Sequence, residues 1–343
     1  MKALFLGLGG VGQRHLRNLK ALRPDTEIAA VRHARRTFEI TADLAVDDQV
    51  NIEEKYDIRV FKSLEQGIDQ FAPDISIIAT PSSLHAEQAS SLVAAGVPIL
   101  LEKPLAHDEP AMDALVNAQK IHATPVMVGY MLRFHPGARK LRDMIRDGAV
   151  GRLYSGHVVA HTYMPDWHSY ESPSDYYVGS RALGGGTVLT NIHLIDLLAW
   201  ILGTPERLWC RGGRLSNLDI DVEDTVSALF DYQIDGSPVP VTMNMSFVQN
   251  PQANQMVFRG ASGEIVWDLG ADELVLTDTS GKSEQISVEG LEWNDLFIRE
   301  MQHFIEAVTG NHPMESALQD VTGGQRMAFA LKSSLERNEI VCL

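Results

Sequence analysis

Gly7, Gly9 and Gly12 lie directly behind the short apolar run Lys2-Ala3-Leu4-Phe5-Leu6, and a helical pattern from Gln13 to Leu22 follows them. The spacing is G-x-G-x-x-G at a turn from strand into helix. Gly7 permits the tight turn, Gly9 lets the backbone approach a pyrophosphate, and Gly12 lets the helix pack close to the strand. The free N–H groups at the helix start, those of Gly10 and Val11 among them, together with the positive end of the helix dipole, favour an anion there. Chance glycines in an ordinary strand–turn–helix are the alternative, and their position at the first strand of the chain weighs against it.

Glu27 to Val31 reads as the second strand, and its tip carries Arg32-His33-Ala34-Arg35-Arg36. A domain that selects NAD places an Asp or Glu at this point, about 20 residues past the glycines, to bind the ribose hydroxyls. Here an arginine takes that place. A guanidinium fork matches a 2′-phosphate and can stack on adenine. Arg32, His33 and Arg36 are therefore expected to favour NADP(H) over NAD(H), with NAD(H) still possible; a solvated basic loop is the other reading of the same run.

The elements that must position these residues alternate. Short apolar strands at Ile58–Phe61, Ile75–Ala79, Pro98–Leu101 and Val126–Val128 are separated by helical patterns, which predicts a doubly wound parallel sheet, a Rossmann domain over residues 1–124. Three segments end strands on its ligand side: Thr80-Pro81 with His85, Glu102-Lys103-Pro104, and Gly129 to Pro136 with Arg133. Residues 125–343 read as a second α/β domain, with sequential strands and short turns (Asp235-Gly236, Ser280-Gly281) forming a large, mostly antiparallel, open-faced sheet. The apolar alternation of Val239 to Phe247 suggests an exposed sheet face and hence a homodimer or homotetramer.

Composition bounds the function. The chain has 343 residues and a formal net charge of −16, which argues against nucleic acid or an anionic membrane as partner. Cys210 and Cys342 are its only cysteines and fit a reducing, cytoplasmic setting. A metal site is not expected: His157 and His161 are four residues apart on a strand, roughly 13 Å, too far for one ion.

Taken together, the glycine loop, A-T-P-x-x-x-H ending at His85, E-K-P at Glu102 to Pro104, Leu183-Gly184-Gly185-Gly186 with His193 and Asp196, and a tail Glu300-Met301-Gln302-His303-Phe304 resemble the glucose–fructose oxidoreductase / inositol dehydrogenase / MocA (Gfo/Idh/MocA) family of nicotinamide-dependent sugar oxidoreductases. The resemblance spans essentially the whole chain. It implies an NAD(P)-dependent dehydrogenase or reductase acting on a secondary alcohol or ketone of a sugar, nucleotide sugar or cyclitol. It gives Lys103 a place beside the reacting hydroxyl, where a cation polarises the oxygen, and makes His193 the acid/base. Thr80, Pro81, His85, Glu102, Lys103 and Arg133 would line the cofactor. Tyr163, Trp167, His168, Arg181, Thr190 and Asn191 would meet the sugar, although the aromatic loop also reads as an interface segment. Many members carry an aspartate a turn before the histidine, where this chain has Thr190. Two rivals stay open: an NAD-assisted glycosidase or eliminating enzyme, and a redox-silent ligand sensor.

Overall fold

The computed structural model describes residues 1–32, 37–42, 44–167, 176–310 and 312–343. The chain divides into two compact units, the first built from Met1–Met131 with Trp293–Asp320 and the second from Leu132–Trp167, the described part of Pro173–Glu292, and Val321–Leu343. The first unit holds strands β1 (Lys2–Leu6), β2 (Glu27–Val31), β3 (Phe38–Ile40), β4 (Val46–Asn51), β5 (Arg59–Phe61), β6 (Ile75–Ile78), β7 (Ile99–Leu101) and β8 (Val126–Val128). Six of them form one sheet in the order β5-β2-β1-β6-β7-β8, and every neighbouring pair is parallel. β6, β7 and β8 are buried throughout, as strands must be when helices cover both faces. The chain leaves β1 toward β2 on one side and later returns to β6 on the other. That reversal is the switch point outside which ligands of such sheets bind.

Two features of this unit differ from the sequence expectation. The β3–β4 hairpin is polar and short, and its anchor is tertiary: Ile40 N donates to Gln13 Oε1 at 2.7 Å and Gln13 Nε2 donates to Phe38 O at 3.1 Å. The first unit also reaches beyond residue 124. β8 belongs to its sheet, and the helix Trp293–Gly310 returns to this unit and packs against the helix Gly10–Leu22. Val128 N donates to Ser316 O at 2.9 Å and Ser316 Oγ donates to Val128 O at 2.6 Å, so the returning segment covers an edge strand.

The second unit holds β9 (Leu153–Tyr163), β10 (Arg207–Gly213), β11 (Thr225–Ile234), β12 (Ser237–Ser246), β13 (Val248–Gly260), β14 (Gly263–Asp268), β15 (Glu273–Asp278), β16 (Ser283–Ile286) and β17 (Val341–Cys342). They form one sheet, β16-β15-β14-β13-β9-β12-β11-β10-β17. It is antiparallel except between β12 and β9. The alternation of Val239 to Phe247 is present but points the other way from the expectation. Val239, Val241, Met243 and Met245 are the core face, each at most 1% exposed. Helix Leu318–Arg337 reaches the same sheet at β10, where Ser334 Oγ accepts Cys210 N at 2.9 Å, and the short helix Thr187–Thr190 lies against β11 and β12. A period of two shows that the faces differ and not which one is covered. The free face instead carries the cross-strand row Trp209, Leu229, Thr242 and His157, with Trp209 and Leu229 about 40% exposed.

The turn after β1 is the tightest part of the first unit. Gly7 has φ +89°, and a Cβ there would strike the carbonyl of Ala79 at the end of β6. A Cβ on Gly12 would strike the carbonyl of Gly7, whereas one on Gly9 meets nothing within 4 Å among the described residues. Gly12→Ala is therefore expected to lower stability by about 1–3 kcal/mol, the usual cost of overpacking. Gly9→Ala should leave the urea midpoint nearly unchanged while weakening nucleotide binding. Equal midpoints for the two variants would refute this division of labour.

Candidate functional site

The parallel strands bring their carboxyl ends to one edge of the first unit, so Gly7, Arg32, Thr80 and Lys103 follow β1, β2, β6 and β7 side by side. The first helix, Gly10–Leu22, starts at Gly9 with no side-chain cap, and no acidic residue lies in its first turn. Its opening N–H groups thus lack a competing carboxylate, and Gly9 leaves the approach open. The residues present fit the diphosphate of a dinucleotide.

Arg32 sits at the end of β2 as expected, but its guanidinium is engaged. Arg32 Nη1 donates to Glu53 Oε1 at 2.6 Å, and the arginine side chain is 8% exposed. Glu53 lies on the helix Ile52–Lys55, which Asn51 caps by accepting Glu53 N at 3.0 Å. Sequence reasoning missed this carboxylate because the chain returns to the strand tip 21 residues later. His33 and Arg36 lie outside the described residues.

Thr80 Oγ1 donates to Gln88 Oε1 at 2.8 Å, and Pro81 sits at the start of helix Ser82–Ala94. Buried His85 ties two turns together: Nδ1 lies 2.7 Å from Pro104 O and Nε2 lies 2.8 Å from Thr80 O. Burial pushes its pKa down, and a neutral ring donates to only one of the two carbonyls. Its place is that of a strut between the A-T-P and E-K-P turns. Glu102 is buried; its Oε1 lies 2.8 Å from His15 Nε2, and its Oε2 accepts the Lys103 backbone N–H at 3.2 Å. Lys103 is half-buried, and loss of solvent holds its ammonium pKa below the usual value, with the Glu102 charge pulling the other way. An ammonium softened in this way gives up a proton more readily than a solvated one. The side chain of Glu300, from helix Trp293–Gly310, completes the neighbourhood: one side-chain nitrogen or oxygen from each of His15, Glu102 and Glu300 lies within 4.8 Å of the other two. No local pattern in the sequence singles out that cluster.

In the second unit Arg133 is placed differently from its expected cofactor contact. Arg133 Nε donates to Asp196 Oδ2 at 2.8 Å and Nη2 donates to Asp196 Oδ1 at 2.7 Å, a bidentate pair with both side chains almost fully buried. Burial pushes the Asp196 carboxyl up, and the arginine fork pulls it back. His193 and Asp196 both lie on helix Ile192–Leu202, where His193 is half-buried. Thr190 ends the short helix Thr187–Thr190, and Asn191 Nδ2 donates to Thr187 Oγ1 at 2.9 Å. The glycines before this helix are required by space. A Cβ on Gly185 would strike the Val178 carbonyl, and one on Gly186, at φ +107°, would strike the Glu223 carboxylate. Glu223 Oε1 in turn accepts the Val188 N–H at 3.2 Å and so fixes the helix start.

The aromatic loop divides in two. Trp167 meets Phe247 edge-on at 5.5 Å and Tyr176 at 6.5 Å, and packs on a cluster of Met164, Val178, Ile220, Val222 and Phe247. Tyr163 ends β9 half-buried. Arg181 is exposed; its N–H donates to Asp221 Oδ1 at 2.6 Å and its Nη1 lies 3.5 Å from Glu336 Oε1. These contacts line a cleft with Arg214 and Lys332 that does not include Thr190, Asn191 or His193. His168 lies outside the described residues. Removing the cation beneath Asp196 gives a direct check on the buried pair. Arg133→Leu should cost about 3–5 kcal/mol in urea unfolding, because it strands a buried carboxylate. Asp196→Asn on the same background should recover part of it, and simple additivity of the two losses would contradict the coupling.

Among the described residues no single helix is long and apolar enough to cross a membrane. The chain matches the oxidoreductase family with the NAD-binding Rossmann fold over residues 1–130 and the GFO/IDH/MocA C-terminal domain over residues 138–266. It is 30% identical to the myo-inositol dehydrogenase Hyg17 of Streptomyces leeuwenhoekii, over 67% of this chain and 65% of that protein. It is 26% identical to the rhizopine catabolism protein MocA of Rhizobium meliloti, over 97% of this chain and 95% of that protein. In fold it is similar to the WlbA dehydrogenase of Bordetella pertussis, solved with NADH and UDP-GlcNAcA, at a TM-score of 0.80 and 18% identity, covering 100% of this chain and 98% of the other. With both family domains matched in order on the two units just described, the chain belongs to the Gfo/Idh/MocA family of NAD-binding oxidoreductases.

Proposed function

We propose that this oxidoreductase is a nicotinamide-dependent dehydrogenase that moves hydride to or from a secondary alcohol or ketone of a sugar, nucleotide sugar or cyclitol. One observation carries the reading: at the switch point of the sheet, an uncapped helix start with an open glycine lies at the same edge as the turn that bears Lys103. The nicotinamide, when bound, supplies the hydride acceptor or donor. The N–H groups at the start of helix Gly10–Leu22 hold its phosphates. Lys103 holds the substrate oxygen and stabilises negative charge on it, and His193 takes or returns the hydroxyl proton. Thr190 and Asn191 hydrogen-bond neighbouring hydroxyls. Of the relatives named above, one is a myo-inositol dehydrogenase and one was solved with UDP-GlcNAcA, which supports the substrate class. Two free cysteines suit a reducing cytoplasm, and the free sheet face with Trp209 and Leu229 suits a symmetric pair of subunits, a point that light scattering decides.

Thr190 favours one second reading, a ligand sensor that binds cofactor without turnover, because it cannot take a proton at neutral pH. A panel of sugars, cyclitols and nucleotide sugars scored by nicotinamide absorbance separates the two. Lys103→Ala and His193→Ala should each lower turnover by roughly 10²–10⁴-fold with little change in cofactor affinity. Full turnover in His193→Ala would remove its acid/base role, and no turnover on any substrate in the panel would favour the sensor.

Cofactor preference is proposed to rest on Arg32. A 2′-phosphate must share or take the guanidinium now held by Glu53, so the preference for NADP(H) over NAD(H) should be modest. Glu53→Gln removes the competitor and should widen it by roughly tenfold, the value of one charge-assisted contact. Calorimetric titration that finds NAD(H) bound as tightly as NADP(H) by both proteins would overturn the assignment.

A further inference from the structure

Beneath the E-K-P turn lies a cluster that the proposed mechanism does not use. His15, one turn into the buried face of the first helix, is fully buried, as is Glu300 on helix Trp293–Gly310, and Glu102 between them is 8% exposed. His15 is fixed from two sides: its ring meets Phe297 edge-on at 5.8 Å, and its Nε2 lies 2.8 Å from Glu102 Oε1. Glu102 is boxed in as well. Its second oxygen accepts the Lys103 N–H at 3.2 Å, and the space beside Gly129 is so close that a Cβ there would touch the glutamate at 3.4 Å. Both oxygens of Glu300 are buried and without a hydrogen-bond partner among the described residues, although they lie within 4.8 Å of the other two groups. Two buried carboxylates so close to each other repel.

We infer that Glu300 is a positioning residue for Lys103: it keeps its proton in the folded protein, which leaves Glu102 as the single carboxylate of the cluster, free to hold His15 on one oxygen and the Lys103 backbone on the other. The direction of the Glu300 titration agrees, since burial first and the Glu102 charge second push its carboxyl well above the usual range. The other charged or titratable groups facing the cluster are Arg14 from the first helix, Lys103 itself, and the neutral ring of His85 from helix Ser82–Ala94. Deprotonation of Glu300 would set a second negative charge against Glu102 and disturb the turn that carries Lys103. The role for Lys103 rests on the dehydrogenase reading; the protonation of Glu300 does not.

The test has two parts, read on the full-length protein. Infrared spectra at about pH 7 should show the carbonyl stretch of a protonated carboxylic acid that is lost in Glu300→Gln. In linkage terms, a carboxyl whose folded pKa is raised stabilises the fold below its unfolded pKa, and this is lost as pH rises through the folded value. Wild-type stability should therefore fall relative to Glu300→Gln as pH rises above about 5. Absence of the infrared band, a flat stability difference, or a stoichiometric divalent cation bound by the cluster in purified protein would overturn the inference. In kinetics, Glu300→Gln, neutral and nearly isosteric, should keep kcat within about threefold and leave the pH profile unmoved. Glu300→Leu should lower kcat by roughly tenfold or more without raising the cofactor KM. Equal kcat in the leucine and glutamine variants, high or low, would remove the positioning role. If wild-type protein turns over nothing in the sugar panel while the infrared band is present, the dehydrogenase reading fails and the protonation stands.

Discussion

The close approach of backbone to backbone at the first turn sets the geometry of the whole cofactor edge. Gly7 lies against the Ala79 carbonyl and Gly12 against the Gly7 carbonyl, with no room for a side chain at either place. This contact draws the ends of β1 and β6 together and tips the first helix down onto the sheet. Because the helix sits so low, its buried face of Gly12, His15, Leu16 and Leu19 reaches the next strands. His15 thereby meets Glu102 at the end of β7. The glycines that open space for a diphosphate thus also bring a cation-forming side chain under the residue next to Lys103, and one packing constraint serves both ends of the proposed site.

The two units handle buried charge in different ways. Arg133 and Asp196 pair through two parallel bonds between planar groups, and the pair is neutral without any proton being moved. Such a pair resists change with pH because guanidinium does not titrate in the accessible range. In the cluster of His15, Glu102 and Glu300, the proposed proton on Glu300 is what removes the repulsion between two buried carboxylates. The first arrangement suits a fixed structural joint beneath the helix that carries His193. The second places an adjustable charge beneath Lys103, whose own ammonium is already softened by burial.

Local signals in the sequence reached the glycine loop, the parallel sheet with its order of motifs, and the second antiparallel sheet, because each leaves a short-range trace: glycine spacing, apolar runs, turn dipeptides. What they could not reach was pairing at long separation. Glu53 beside Arg32, Asp196 beside Arg133 and Glu300 beside Glu102 are set by which strand tips and helix faces meet, and nothing near any of these residues announces its partner. The β3–β4 hairpin failed for the same reason, since a side chain of the first helix holds it. The alternation along β12 was legible as a period and misread as to face, because which face other elements cover is set by tertiary packing and not by the period. The domain boundary moved for a related cause: the helix Trp293–Gly310 is local in sequence to the second unit and belongs by packing to the first.

A formal charge of −16 repels a ligand that carries phosphates only over a limited range. At physiological salt, exposed charges are screened over about 8 Å, so the distant acidic surface contributes little at the end of β1. What acts there is close and fixed: N–H groups of the helix start, in a first turn that holds no carboxylate, and the guanidinium of Arg32. Among the described residues, Glu53 lies against that arginine at 2.6 Å and offsets its charge. The pair presents almost no net charge to an approaching ribose, neither the repulsion a lone glutamate would offer a 2′-phosphate nor the full attraction of a lone arginine. On the proposed reading, discrimination at this end depends on how readily the ion pair opens, and the acidic composition of the rest of the chain is a matter of solubility.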